Sequence, residues 1–279
     1  MLNPVYGLVP SFIWAFSPIY YRVFMKRFDS LTLNLIRTST ASLVLLLPAL
    51  YFGFGHGFYY ALASGAVTLA VGDTLFLRSI REMGASVAAP VVYTYVLFVQ
   101  LAAPAVGEVV PLTNFLAAAM VIAGVYILSR DKGGKPRAKG IAFGIGAGLV
   151  WTVGQELIKV ATNTGGSVVT ITFGRNAAAA VGIGLAVLAS GRLKRWPEGV
   201  TAKELAFVAF IAATDLVVGS LFFVYSISLV GLALTVILTS LSPLLTQAFS
   251  KALGKESPSR MEFLGGVIIV AALVLAVAL

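Results

Sequence analysis

The chain has no cysteine and only one histidine, His56, among 279 residues. Those absences remove disulfide frameworks, thiol nucleophiles, haem-type ligation and nearly every zinc arrangement. His56 lies in "GFGHGFYY", a Gly and aromatic turn with no partner in view, and it reads as a solvated loop residue rather than a pH switch. Charge is scarce as well: 11% of residues are charged and 59% are hydrophobic, against roughly 25% charged in soluble domains. A single soluble core cannot hide so many apolar stretches. The chain is read as a membrane protein, and its length then bounds the number of spans.

Phosphate-binding motifs are missing too. The "GIGAG" at 144–148 follows no strand and precedes no Lys-Ser or Lys-Thr, so it is not a phosphate loop, and no cofactor or metal is expected. The net charge of +9 is assigned to basic loops facing an anionic leaflet, with membrane lipid and no nucleic acid as the expected partner. The opening "MLNPVYGLVPSF" lacks a basic n-region and is read as the start of a spanning helix, not a signal peptide.

Apolar runs bounded by charge, Gly or Pro predict ten helices, near 5–23, 31–52, 58–80, 84–106, 112–129, 138–160, 167–190, 204–226, 230–250 and 261–279. The tight divisions fall at Gly84 and Gly231. The chain repeats around a charged, Gly-rich middle. "FIWAFSPIYYRVF" (12–24) lies over "LVWTVGQELIKVA" (149–161), pairing Trp14 with Trp151 and Arg22 with Lys159. "LIRTSTAS" (35–42) lies over "FGRNAAAA" (173–180), pairing Arg37 with Arg175, and "GDTLFLRSIREMG" (72–84) lies over "GSLFFVYSISLVG" (219–231).

The expected organisation is a first five-helix repeat over 1–129, a basic linker over 130–139 and a second five-helix repeat over 140–279. Five is odd, so the second unit enters from the opposite face. The fold class is therefore an all-α polytopic membrane protein of two inverted repeats, an architecture that places a site near the bilayer midplane. Seventeen of the 20 Lys and Arg fall in loops on one face and one, Lys159, on the other. The positive-inside rule puts the loaded, odd-numbered loops in the cytoplasm and both termini outside.

The chain resembles the EamA-type ten-helix permeases of the drug/metabolite transporter superfamily over essentially its whole length. The resemblance rests on Trp14 and Trp151 in the first helix of each unit and Arg37 and Arg175 early in the second. It rests also on the unit endings "AVGEVVPLTNFLAAAMVIAG" and "SPLLTQAFSKALGKESPSRMEFLGG", which carry Glu108, Glu256 and Pro243. It implies a carrier of small organic metabolites with a cavity between two five-helix bundles. The first unit departs by placing Tyr95 or Val96 where the second has Pro243, which predicts an asymmetric hinge. The family's usual cytoplasmic termini also oppose the charge pattern, and the charges set the expectation adopted here.

Intramembrane charge needs a reason, at about 2.5 to 3.5 kcal/mol per Asp or Arg at a helix centre. Asp73 and Asp215 are candidates for coupling or gating, as proton carriers or contacts for a substrate amine, or else as carboxylates held by Arg and hydroxyl partners. Arg37 and Arg175, two turns inside their helices, are read first as helix locks or gates and second as substrate contacts. Trp14 and Trp151 lie about 12 Å inward of their helix ends, too deep for an interfacial belt. They suit a cavity wall or helix packing. Tyr93 and Tyr95 after Pro90, with Gln155 and Asn176, complete the candidate substrate contacts. Glu156 is spaced to pair with Lys159, and the Gly140, Gly144 and Gly148 stripe suits close helix packing.

The leading expectation is a secondary carrier of small organic solutes, amino acids first, located in the plasma membrane. A proton-coupled drug or cation exporter is the rival. An enzyme would want clustered His, Asp or Cys, and none is found; a non-transporting assembly subunit would use the buried charges for packing alone.

Overall fold

A computed structural model describes residues 4–84, 88, 91–129, 137–191, 197, 199–252 and 260–278. Pro90, Asp131, Glu256 and most of the 130–139 linker lie outside the described residues, as does the side chain of Arg22. The described residues form ten helical segments, as the apolar runs predict. In the first half these are α1 (Val5–Phe24), α2 (Ser30–Phe52), α3 (Gly57–Met83), α4 (Val91–Val106) and α5 (Leu112–Ser129). In the second they are α6 (Ala138–Asn163), α7 (Val168–Ala189), α8 (Ala202–Val230), α9 and α10 (Arg260–Ala278). The α9 helix comes in two pieces, Leu232–Thr239 and Ser242–Ala252.

Five helices, α2, α3, α6, α7 and α8, are long and apolar enough to cross a membrane by themselves. Their outer faces carry Leu43, Leu47, Leu185 and Phe210, all largely exposed, as does Phe263 on α10. Water would penalise an apolar surface of that extent, whereas lipid solvates it. The protein is a polytopic membrane protein.

Matching local signals start and stop matching helices. Asp29 caps α2 by accepting from the Leu31 and Thr32 amides at 3.0 and 3.3 Å. Ser167, its counterpart, caps α7 by accepting from Thr170 N at 3.1 Å. Gly84 and Gly231 end α3 and α8 at φ of 82° and 87°, a conformation that side chains with a Cβ rarely adopt.

The halves interlock helix by equivalent helix. The α2 helix lies along α7 and α5 along α10, while α1 packs on α8 and α6 on α3. Small residues permit the close approach. A Cβ on Gly65 would run into the backbone of Arg175, and one on Gly124 would meet Ile269 Cγ1 at 2.7 Å. The Gly140, Gly144 and Gly148 stripe does the same work for α6, facing Met83, Val91 and the Val92 to Tyr95 segment in turn.

Tertiary structure adds one parallel and one correction. The α4 helix is interrupted at Thr94 much as α9 is at Ser240 and Leu241, so the break beside Pro243 has a counterpart in the first half. Hydroxyl groups, not proline alone, mark both breaks: Thr94 Oγ1 donates to Val91 O at 2.7 Å, and Ser240 Oγ donates to Val236 O at 2.8 Å. Glu156 and Lys159 form no ion pair, and neither Glu156 carboxylate oxygen has a hydrogen-bond partner among the described residues. Spacing along one helix put them in reach without making them meet.

Candidate functional site

Between the halves lies a cavity of about 150 Å³. By volume it has room for on the order of ten waters, enough for a small organic molecule. Eight helices contribute to its wall, among them four that are interrupted. Besides the breaks in α4 and α9, both α3 and α8 open into a π-helical turn, at Ala66–Gly72 and Thr214–Gly219. These turns occupy one position of the repeat. A π turn holds an extra residue, so it rotates the chain that follows out of α-helical register. Asp73 immediately follows the first π turn and Asp215 lies within the second.

Arg37 gathers both carboxylates. Its Nη2 lies 2.9 Å from Asp215 Oδ2 across the two halves and 3.1 Å from Asp73 Oδ2 within its own half. Its Nη1 donates to Asn34 Oδ1 at 3.0 Å. Tyr21 closes the group: its hydroxyl donates to Asp215 Oδ2 at 2.6 Å, and its ring lies 4.4 Å from the Arg37 guanidinium carbon. Arg37, Asp73 and Asp215 are 5%, 7% and 5% exposed. At that burial the two carboxylates are accommodated because both meet the one guanidinium.

The two tryptophans repeat a single arrangement across the halves. Trp14 of α1 lies against Gly219 and Phe223 of α8, with ring centroids 5.2 Å apart, and its Nε1 donates to Asp215 O at 3.3 Å. Trp151 of α6 lies against Gly72 and Phe76 of α3, again with centroids 5.2 Å apart, and its Nε1 donates to Asp73 Oδ1 at 3.1 Å. Gly72 and Gly219 are repeat equivalents, as are Phe76 and Phe223. Each glycine leaves the space that an indole fills, so each tryptophan ties one half to the other beside an aspartate.

Arg175 is the exception in this symmetric frame. It is 4% exposed, yet it makes no ion pair or hydrogen bond among the described residues, and its Nε has no partner. Asp73 acts on it electrostatically without contact.

Nine of the ten residues singled out from sequence line this cavity: Trp14, Arg37, Asp73, Tyr93, Tyr95, Trp151, Gln155, Arg175 and Asp215. Asn176 does not. Its Nδ2 donates to Thr172 O at 2.9 Å and Leu216 O at 3.3 Å, which joins α7 to the π turn of α8. Tyr21, Thr68, Ser220 and the Gly72 and Gly219 pair escaped sequence reasoning. The glycines stand at the head of the two segments laid over each other, so the repeat held the signal for them. Tyr21 sits beside a basic loop, where an aromatic residue looks interfacial.

The family comparison accords with this arrangement. The EamA-like transporter family matches residues 2–130 and again residues 138–278, and the chain belongs to that family. A protein of Archaeoglobus fulgidus described as an uncharacterized transporter is 28% identical over 159 residues, which is 55% of this chain and 57% of that protein. The match thus spans a little over half of the relative's length. A solved crystal structure of 17% identity superposes with a TM-score of 0.78, covering 99% of this chain and 96% of the other, and shares the fold.

Proposed function

We propose that this member of the EamA-like transporter family is a secondary carrier that moves small organic solutes by exposing the cavity between its halves to each side of the membrane in turn. It works without ATP and catalyses no chemical conversion. The observation that supports this most directly is a partly open cavity whose wall is drawn from both halves and whose lining includes four helices interrupted near it. Broken helices at depth are tolerated where they border protein or a wet cavity, and they are natural pivots for rocking one half against the other.

Amino acids are the first solutes to try, because the wall combines aromatic faces with charged and hydroxyl groups. The membrane is the plasma membrane, with the basic loops cytoplasmic and both termini outside. Purified protein in liposomes, offered a panel of labelled amino acids and related metabolites, tests the reading. Uptake above protein-free vesicles is expected. A panel in which no solute crosses faster than leak would sink it.

A second reading, proton-coupled export of organic cations, draws support from the two buried carboxylates. Both are engaged by Arg37, so a cation has to displace a guanidinium to reach either one. Transport that persists without a proton gradient and survives Asp215→Asn excludes this alternative.

A further inference from the structure

Arg37 and Arg175 hold one position of the repeat but meet different company. In the register that lays Gly72 over Gly219, Asp73 corresponds to Ser220 and Asp215 to Thr68. The two carboxylates that clamp Arg37 therefore have two hydroxyl residues as counterparts on the Arg175 side. All six of these residues line the cavity. Arg175 is buried to 4% exposure without an ion pair or hydrogen bond among the described residues. Among the described residues none makes a hydrogen bond or ion pair with its head, although a guanidinium at such depth is costly unless something pairs with it. Three further groups on the wall are unsatisfied, Arg37 Nε, Thr68 Oγ1 and Gln155 Oε1.

We infer that Arg175 is the anion anchor of the cavity and that the solute it takes is an organic carboxylate with an apolar or aromatic body. The inference rests on the carrier reading above. A guanidinium offers a planar fork that matches a carboxylate with two parallel hydrogen bonds. The Thr68 and Ser220 hydroxyls are donors on the same wall, and Trp14, Trp151, Phe76 and Phe223 supply the apolar faces. No carboxylate is left over for a cation, since both sit on Arg37. The charges of Arg37, Arg175, Asp73 and Asp215 cancel, so a bound monoanion adds one negative charge. An ammonium on the same solute offsets it, or a proton taken up together with the solute.

Intrinsic fluorescence reports occupancy, because Trp14 and Trp151 both face the cavity. The test titrates the purified full chain with 3-phenylpropionate, phenylalanine, 3-phenylpropanamide and phenethylamine. One or both carboxylates should give a saturating change, and the comparison between them separates the monoanion from the zwitterion. The amide and the amine should bind at least tenfold more weakly. Arg175→Gln should weaken carboxylate binding at least tenfold, with partial recovery in Arg175→Lys. Its Tm without ligand should not fall, since the substitution removes an unpaired charge.

Carboxylate binding that survives Arg175→Gln, equal binding of amide and carboxylate by the wild type, or no binding of any of the four overturns the anchor. The wild-type selectivity decides the matter even if a variant fails to fold. Liposome uptake separates the two claims: transport of the amine or amide alone overturns the anchor and leaves the carrier, whereas carboxylate that binds but never crosses overturns the carrier.

Discussion

The Arg37 guanidinium meets the Asp215 carboxylate at 2.9 Å, joining the second helix of one half to the π turn in the third helix of the other. Asp73 and the Tyr21 hydroxyl converge on the same two groups. Removing the cation strands two buried carboxylates. Arg37→Gln should therefore cost about 3 to 5 kcal/mol, while Asp215→Asn should cost less, because Arg37 keeps Asp73 and Asn34. Adding Asp73→Asn and Asp215→Asn to Arg37→Gln should recover much of the loss. Thermal unfolding in detergent or nanodiscs measures the series. An Arg37→Gln protein as stable as the wild type would show that the cluster is not a lock.

Gly72 and Gly219 make the space in which Trp151 and Trp14 lie. A Cβ on Gly219 would come within 2.6 Å of Trp14 Nε1, and one on Gly72 would overlap Trp151. Gly72→Ala and Gly219→Ala should each cost about 1 to 3 kcal/mol as the indole is pushed from its aspartate, with a shift in tryptophan emission. Gly182→Ala is the control. No atom lies within 4 Å of that Cβ, and a gain in helix propensity of up to about 1 kcal/mol is expected there.

Glu108 reaches from the end of the first half to accept from the Leu232 and Ala233 amides at 3.1 and 3.4 Å, capping α9. Glu108→Ala should destabilise the protein by about 1 kcal/mol, and Glu108→Gln, which keeps an acceptor, by less. The difference between the two variants in unfolding midpoint checks this. If they are equal, the capping role is wrong.

Much of this was readable from the sequence, for identifiable reasons. Hydropathy predicts the ten segments because lipid demands long apolar helices, and the repeat singles out Trp14, Trp151, Arg37 and Arg175 because two copies must place equivalent groups alike. The π turns are invisible to hydropathy, since one extra residue in a turn leaves an apolar run unchanged. Glu156 and Lys159 show the opposite failure. Their spacing fits an ion pair along an isolated helix, yet they do not form one in the folded protein. The difference between Arg37 and Arg175 was present in the alignment as Asp73 over Ser220 and Asp215 over Thr68, but it acquires meaning only once α2 lies against α8 and α7 against α3.

The proposed membrane orientation rests on charge, and the lack of cysteine in the sequence makes it simple to test. His56→Cys and Lys203→Cys fall at exposed positions, in loops that the charge pattern assigns to opposite sides of the membrane. An impermeant thiol reagent applied to intact cells should label the first and spare the second. The reverse pattern would place the basic loops outside.

The central claim is that one cavity opens to both sides in turn, and the accessibility of a cysteine inside it tests that most directly. Thr246 lines the cavity beside the break in α9, so Thr246→Cys in an otherwise cysteine-free chain is a suitable probe. Reaction with an impermeant reagent from either face of the membrane, at rates altered in opposite directions by a transported solute, is the predicted result. A cysteine that reacts from one face only, whatever solute is present, would contradict alternating access.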